Sequence, residues 1–197
     1  MELKEINLNS VHEIDKKLNE EINYDFDLIV FVARGSYIIG ADLSKFRDVP
    51  LLEIKCSRIG KIIKNSIKPL IRYLPNSILL ELRKKELQKR MNPKKALDNV
   101  DFEKDIFSKY KERKRILLVD DSIDTGNTIK ECEKALHNYF ENSEVKSASL
   151  NVMLDSQKYP NYFLYADTML RGPWSSDSKE NKQYMLQYKT WKDNYLR

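Results

Sequence analysis

Cysteine and histidine are nearly missing from this chain of 197 residues, with two of each. Cys56 and Cys132 stand apart in apolar surroundings, so the pair reads as small core residues of a chain kept in a reducing cytosol. His12 and His137 have no cysteine or histidine at zinc spacing, which excludes the common structural zinc sites. Glycine and proline number only 5 and 6, and neither an internal repeat nor a low-complexity linker interrupts the chain. No apolar run approaches the ~20 residues that span a bilayer. The first residues, MELKEINLNS, lack the apolar stretch of a secretory signal. The expectation is a cytoplasmic protein with no membrane partner. What is present is a hydrophobic fraction of 41%, enough for a real core. The length suits one domain over residues 1–197, carrying an insertion at about 60–113.

Helical and strand patterns alternate along the chain. Ser10 is the expected N-cap of a helix reaching about Glu21, with Val11, Ile14 and Leu18 at helical spacing. Strands are expected at Leu28 to Val32, Leu51 to Cys56, Ile116 to Val119 and Ser147 to Leu154. A helix is expected from Tyr37 to Phe46. Strands separated by helices predict an α/β protein with a mostly parallel sheet flanked by helices, and sites at the carboxyl ends of the strands.

One stretch stands out: RILLVDDSIDTGNT, from Arg115 to Thr128. Four apolar residues run into Asp120 and Asp121. Asp124, Thr125, Gly126, Asn127 and Thr128 form a small polar turn, and Ile129, Cys132, Leu136 and Tyr139 continue at helical spacing. A strand that ends in acid and turns into a helix puts backbone N–H groups and the positive helix end where a phosphate can sit. The adjacent carboxylates can accept hydrogen bonds from sugar hydroxyls or hold a hydrated Mg²⁺. A phosphorylated sugar satisfies both halves. A second stretch, DLIVFVARGSYIIGADL from Asp27 to Leu43, has the same layout: an apolar strand, a turn at Arg34-Gly35-Ser36, then an apolar helix start.

The first stretch resembles the phosphoribosyl-pyrophosphate (PRPP) motif of the type I phosphoribosyltransferases: an apolar strand, two acids, two variable residues and a TGxT-like turn. The second is similar to the family's Arg-Gly-Gly pyrophosphate loop, with Ser36 in place of the second glycine. The resemblance implies the type I phosphoribosyltransferase fold, with the basic insertion as an enlarged helical hood. It implies transfer of a 5-phosphoribosyl group from PRPP to a ring nitrogen of a nucleobase, releasing pyrophosphate with Mg²⁺. Thr125, Gly126, Asn127 and Thr128 would then cradle the 5-phosphate, and Arg34, Gly35 and Ser36 would face pyrophosphate. Asp120 and Asp121 would hold the ribose hydroxyls and the metal. A homodimer is also implied, since the family commonly forms them.

Asp124 is the residue type that enzymes acting on 6-oxopurines keep in this turn, where a carboxylate can exchange a proton at purine N7. Asp124 could equally just stabilise the turn. Other positions depart from the purine pattern. Met153 stands where a lysine would read the exocyclic oxygen, with Lys158 five residues on. In DTMLRGPWSSD, Pro173 and Trp174 match, but Met169 replaces the aromatic stacker and Ser175 the acid. Trp174 could also be a packing residue. The expected acceptor is therefore a purine, with an atypical pocket in view.

Residues Lys61 to Arg115 carry 17 basic and 7 acidic side chains, a net of +10 in a chain of net +5. Such charge could steer anionic PRPP, form a nucleic-acid surface or be a solvated helix face. Two helices are expected here, one with Ile63, Ile67, Leu70, Ile71 and Leu74 on a face and one from Ser77 to Arg90. Aromatics are sparse beside the lysines, which disfavours a nucleic-acid partner. A last helix from about Lys179 carries Tyr184, Tyr188, Trp191 and Tyr195 as a stripe suited to packing on the hood or a second subunit. The alternatives to an enzyme are a non-catalytic PRPP sensor and, behind it, a nucleic-acid-binding protein.

Overall fold

A computed structural model describes residues 2–58, 78, 81, 98–153 and 160–196. The expected hood helix around 63–74, that around 77–90 apart from residues 78 and 81, and Lys158 lie outside the described residues.

The strands are β1 (Glu2–Glu5), β2 (Leu28–Val32), β3 (Leu51–Arg58), β4 (Asp98–Asp101), β5 (Arg115–Ile123), β6 (Glu144–Val152), β7 (Tyr162–Ala166) and β8 (Thr168–Arg171). The helices are α1 (Leu8–Glu21), α2 (Tyr37–Arg47), α3 (Lys104–Ser108), α4 (Asn127–Tyr139) and α5 (Asn181–Tyr195). Six strands form one sheet in the order β4-β3-β2-β5-β6-β7, and β1 pairs with β8 in a separate parallel ribbon. Only the β3–β4 pair of the larger sheet is antiparallel. The mostly parallel α/β sheet expected from the sequence is present.

Alternation along the central strands creates two cores. In β2, Ile29 and Phe31 face one apolar cluster while Leu28, Val30 and Val32 face the other. In β5, Leu117 and Val119 join the first, and Ile116 and Leu118 the second. Side chains two apart share a face, so a strand buried on both sides reads as an unbroken apolar run. Helices α1, α2 and α5 cover the first face, through residues such as Val11, Leu18, Ile39, Leu43 and Tyr184. Helix α4 covers the other with Ile129, Cys132 and Leu136, and Phe107 of α3 packs there too. Each fully buried side chain of this size contributes about 1.5–3 kcal/mol.

Several local expectations need correction. Helix α1 is capped by Asn7, whose Oδ1 accepts from the N–H of Asn9 and Ser10 at 3.0 and 2.9 Å. Ser10 is the reciprocal member of a capping box, its Oγ accepting from Asn7 N–H at 3.1 Å. Strand β5 runs on to Ile123, past both acids. The end of the basic insertion is not helical throughout: Asp98–Asp101 is a strand on the edge of the sheet, in register with Lys55 to Arg58. The ribbon strands β1 and β8, and the edge strand β7, were not read from the sequence.

Candidate active site

From β2 the chain builds to one side of the sheet, through β3, and from β5 to the other, through β6 and β7. Between β2 and β5 the strand order reverses, which in open α/β sheets is where ligands bind, outside the carboxyl ends of the strands. Both motifs lie at this point. The Arg34-Gly35-Ser36 turn follows β2, and Asp120 to Gly126 end β5, its in-register neighbour.

The two motifs touch. Ser36 is fully buried and its hydroxyl donates to Asp120 Oδ1 at 3.1 Å. The backbone N–H of Asp121 donates to the same oxygen at 3.0 Å. Gly35 is pressed against the other acid. A Cβ on Gly35 would lie 2.5 Å from Asp121 Oδ1 and 2.9 Å from its Cγ. Any side chain there would force the Asp121 carboxylate to shift, so glycine lets the turn and the carboxylate meet as they do. The Arg34 side chain is exposed.

Burial, then the charge of Asp121, pushes the Asp120 carboxyl well above the usual carboxylate range, against the Ser36 and Asp121 N–H bonds. Burial also lifts Asp121, to about 6. The Asp120 carboxyl and the Trp174 indole hold it down, while the charge of Asp124 raises it. Two carboxyls pushed upward side by side are a place where a bound cation would relieve repulsion. They are not equivalent. Asp120 is buried and bonded to Ser36, whereas Asp121 is half-buried and faces Gly35, Asp124 and Trp174.

The polar turn leads into α4 through Gly126, which has φ 73° and is the N-cap without any side-chain hydrogen bond to the helix start. Thr125 and Thr128 are half-buried and Asn127 is exposed. Left-handed backbone at Gly126 adds a second reason for glycine there, beside close approach to a ligand.

Of the residues expected to read the base, Met153 is at the right end of its strand. Its N–H donates to Ile123 O at 3.0 Å, one residue before Asp124. Trp174 lies folded over Gly172, where a Cβ would meet the indole ring at 2.4 Å. Met169 is not drawn to the acids. It is in β8 opposite Leu3 of β1, with 5% of its surface exposed. Asn151 joins this ribbon to the sheet, accepting from Thr168 N–H at 3.2 Å and donating to Ser122 Oγ at 3.3 Å.

Two contributors were missed in the sequence. Tyr184 of α5 donates through Oη to the carbonyl oxygens of Arg34 and Gly35. In the sequence it is one residue of an aromatic stripe, and nothing local marks which stripe residue reaches a loop far away in sequence. Gly172, two residues before Trp174, lets the indole fold over the chain. A glycine just ahead of an exposed-looking tryptophan was the available signal.

No protein-family model and no curated protein matches the sequence. Solved structures do match. The purine phosphoribosyltransferase from Pyrococcus horikoshii Ot3 is similar at 20% identity, over 89% of this chain and 95% of that one, with a TM-score of 0.59. The xanthine-guanine-hypoxanthine phosphoribosyltransferase from Helicobacter pylori is similar at 17% identity, over 92% and 99%, with a TM-score of 0.62. A hypothetical protein from Neisseria gonorrhoeae with bound ppGpp is similar at 15% identity, over 96% and 97%, with a TM-score of 0.61. The fold is that of the type I phosphoribosyltransferases. In this phosphoribosyltransferase fold the β2 and β5 turns meet at the carboxyl ends of neighbouring strands. Among the described residues no group of three or more His, Cys, Asp or Glu forms a metal cage. Mg²⁺ needs none, since one or two carboxylates with substrate phosphates and waters suffice. The Asp120–Asp121 pair fits that requirement. Among the described residues, no helix is long and apolar enough to cross a membrane.

Proposed function

We propose that the protein transfers the 5-phosphoribosyl group from PRPP to a nitrogen of a nucleobase, releasing pyrophosphate. The observation that carries this reading is the meeting of the two turns, with Gly35 against Asp121 and Ser36 bonded to Asp120. A ligand with a phosphate, a vicinal diol and a diphosphate on one sugar uses every part of that site. The N–H groups and hydroxyls from Thr125 to Thr128 hold the 5-phosphate at the start of α4. Asp120 and Asp121 accept from the ribose hydroxyls. Arg34, with Gly35 and Ser36, binds the diphosphate. Breaking the anomeric bond builds positive charge on the sugar, which the nearby carboxylates stabilise, while the Arg34 guanidinium stabilises the leaving group. Asp124 accepts the proton that the base loses as its nitrogen bonds to the sugar. Asp120 and Asp121 are the residues that would hold a Mg²⁺, which would supply charge neutralisation at the diphosphate. The protein works in the cytoplasm, as a homodimer.

A purine is the leading acceptor, through Asp124, in an altered pocket. Met153 offers no cation to an exocyclic oxygen, and Met169 is in the β1–β8 ribbon. An unpaired buried carbonyl costs about 1–3 kcal/mol and lost stacking about 0.5–1.5 kcal/mol. Hypoxanthine, guanine and xanthine are therefore expected to be used weakly, unless Lys158 or Trp174 compensates. The deciding experiment incubates the protein with PRPP, Mg²⁺ and a panel of nucleobases and reads pyrophosphate. Ordinary micromolar Michaelis constants for the three oxopurines would refute the altered pocket. PRPP binding without turnover on any base would move the reading to a PRPP sensor.

A further inference from the structure

Tyr184 is fully buried, on a helix remote in sequence from both motifs, and its hydroxyl is spent on the backbone of the Arg34–Ser36 turn. It donates to the carbonyl oxygen of Gly35 at 2.9 Å and to that of Arg34. The Tyr37 N–H donates to the Arg34 carbonyl as well, at 3.3 Å. Ser36 is the N-cap of α2 yet makes no capping bond, because its hydroxyl serves Asp120.

A carbonyl oxygen facing an anion repels it, and an N–H attracts it. In a planar trans peptide the two point in opposite directions. The Arg34–Gly35 and Gly35–Ser36 peptides are both trans. With both carbonyls turned onto Tyr184, the N–H groups of Gly35 and Ser36 point away from α5. We infer that Tyr184 is the positioning residue of the diphosphate arm, turning the carbonyls of Arg34 and Gly35 away from the site so that the Gly35 and Ser36 N–H groups face pyrophosphate. This rests on the phosphoribosyl reading above. The tyrosine itself touches no substrate.

The ring of Tyr184 is held by packing that its hydroxyl does not need. It lies edge-on to Tyr37, with ring centroids 6.2 Å apart, and to Trp174, at 6.4 Å. Tyr184→Phe keeps those contacts and removes only the hydroxyl. Tyr188 is one turn further along α5, is also buried, and donates instead to buried Glu53 of β3. Tyr188→Phe is thus a control that loses one buried hydrogen bond of the same helix without removing a bond to the backbone of the turn.

The test is calorimetry on the full chain and both variants with three probes: PRPP with Mg²⁺, pyrophosphate with Mg²⁺, and ribose 5-phosphate. Melting temperatures show that each variant is folded. Tyr184→Phe is expected to weaken PRPP and pyrophosphate binding by about three- to tenfold, the worth of one net hydrogen bond. Its ribose 5-phosphate affinity should stay within about twofold, because that ligand engages the Thr125–Thr128 turn. Tyr188→Phe should leave all three affinities within about twofold. Unchanged PRPP binding in Tyr184→Phe overturns the inference alone. So does an equal loss for ribose 5-phosphate, or an equal loss in Tyr188→Phe, since either marks general loosening of α5. A wild-type protein that binds none of the probes overturns the phosphoribosyl reading, and the inference with it.

Discussion

Gly126 has φ 73°, a backbone conformation that a β-branched side chain adopts at a cost of about 1–3 kcal/mol. A valine there also stands where a phosphate must approach the backbone. Gly126→Val is expected to fold with a lowered melting temperature and to lose PRPP binding in calorimetry. Unchanged affinity in the folded variant would remove the Thr125–Thr128 turn from the mechanism. Among the acids, roles divide by position. Asp124 lies beyond β5 and acts on Asp121 through its charge. Asp124→Asn keeps the shape and removes the proton acceptor, so turnover should fall by about 10²–10⁴ with PRPP affinity little changed. Asp121→Asn should weaken PRPP binding itself, because a ligand to sugar or metal is lost. Full turnover in Asp124→Asn would leave that residue a turn stabiliser and weaken the case for an oxopurine. These residues were legible in the sequence because each motif is local. That glycine at position 35 admits the Asp121 carboxylate was not, since the two are 86 positions apart.

Helices α1 and α2 meet over an unusual contact. Asp15 is fully buried among the apolar residues of α1, and neither of its carboxyl oxygens has a hydrogen-bond partner among the described residues. Asp42 of α2 is 3% exposed and is paired with His12 and, at 3.9 Å, with Lys45. Burial, then the charge of Asp42, pushes the Asp15 carboxyl well above its ordinary range. A carboxyl with a raised folded-state pKa binds its proton more tightly when folded. Its contribution is complete below the unfolded value near 3.9 and is lost as pH rises through the folded value. Asn mimics the neutral acid at every pH. Asp15→Asn should therefore gain melting temperature over wild type as pH rises from 5 to 9, with the smallest difference at the acid end. A difference that stays constant across that range would show that Asp15 does not titrate with folding. At this scale the sequence was a partial guide. The apolar period of α1 was plain, but Asp15 falls on the buried face beside Ile14, and polarity alone would have placed it outside. Strand β5 was expected to stop at Val119 because polar residues follow. It continues because Asp120 and Ser122 have in-register partners, Ser149 and Asn151, on β6.

Across the whole molecule, the site depends on strand order. The unbroken apolar runs at 28–32 and 116–119 were enough to announce central strands, because a strand buried on both faces must be apolar at every position. Glycine, acid and hydroxyl at their ends were enough to announce a phosphate-binding layout, because that chemistry is carried by the backbone of a few consecutive residues. So the sequence by itself determined the two motifs and the α/β class. Only the tertiary structure decided that β2 and β5 are neighbours, which turns two separate loops into one site with Gly35 on Asp121. It alone seated α5 across the β2 turn, giving the Tyr184 hydroxyl two carbonyls to hold, and buried Met169 in a ribbon that pairs residues 2–5 with 168–171. The physical reason is common to all three. Local pattern follows from hydrophobic period and turn chemistry within a few residues. Which distant surfaces meet follows from how whole elements pack their apolar faces, and a tyrosine in a helical stripe looks the same whichever surface it will cover.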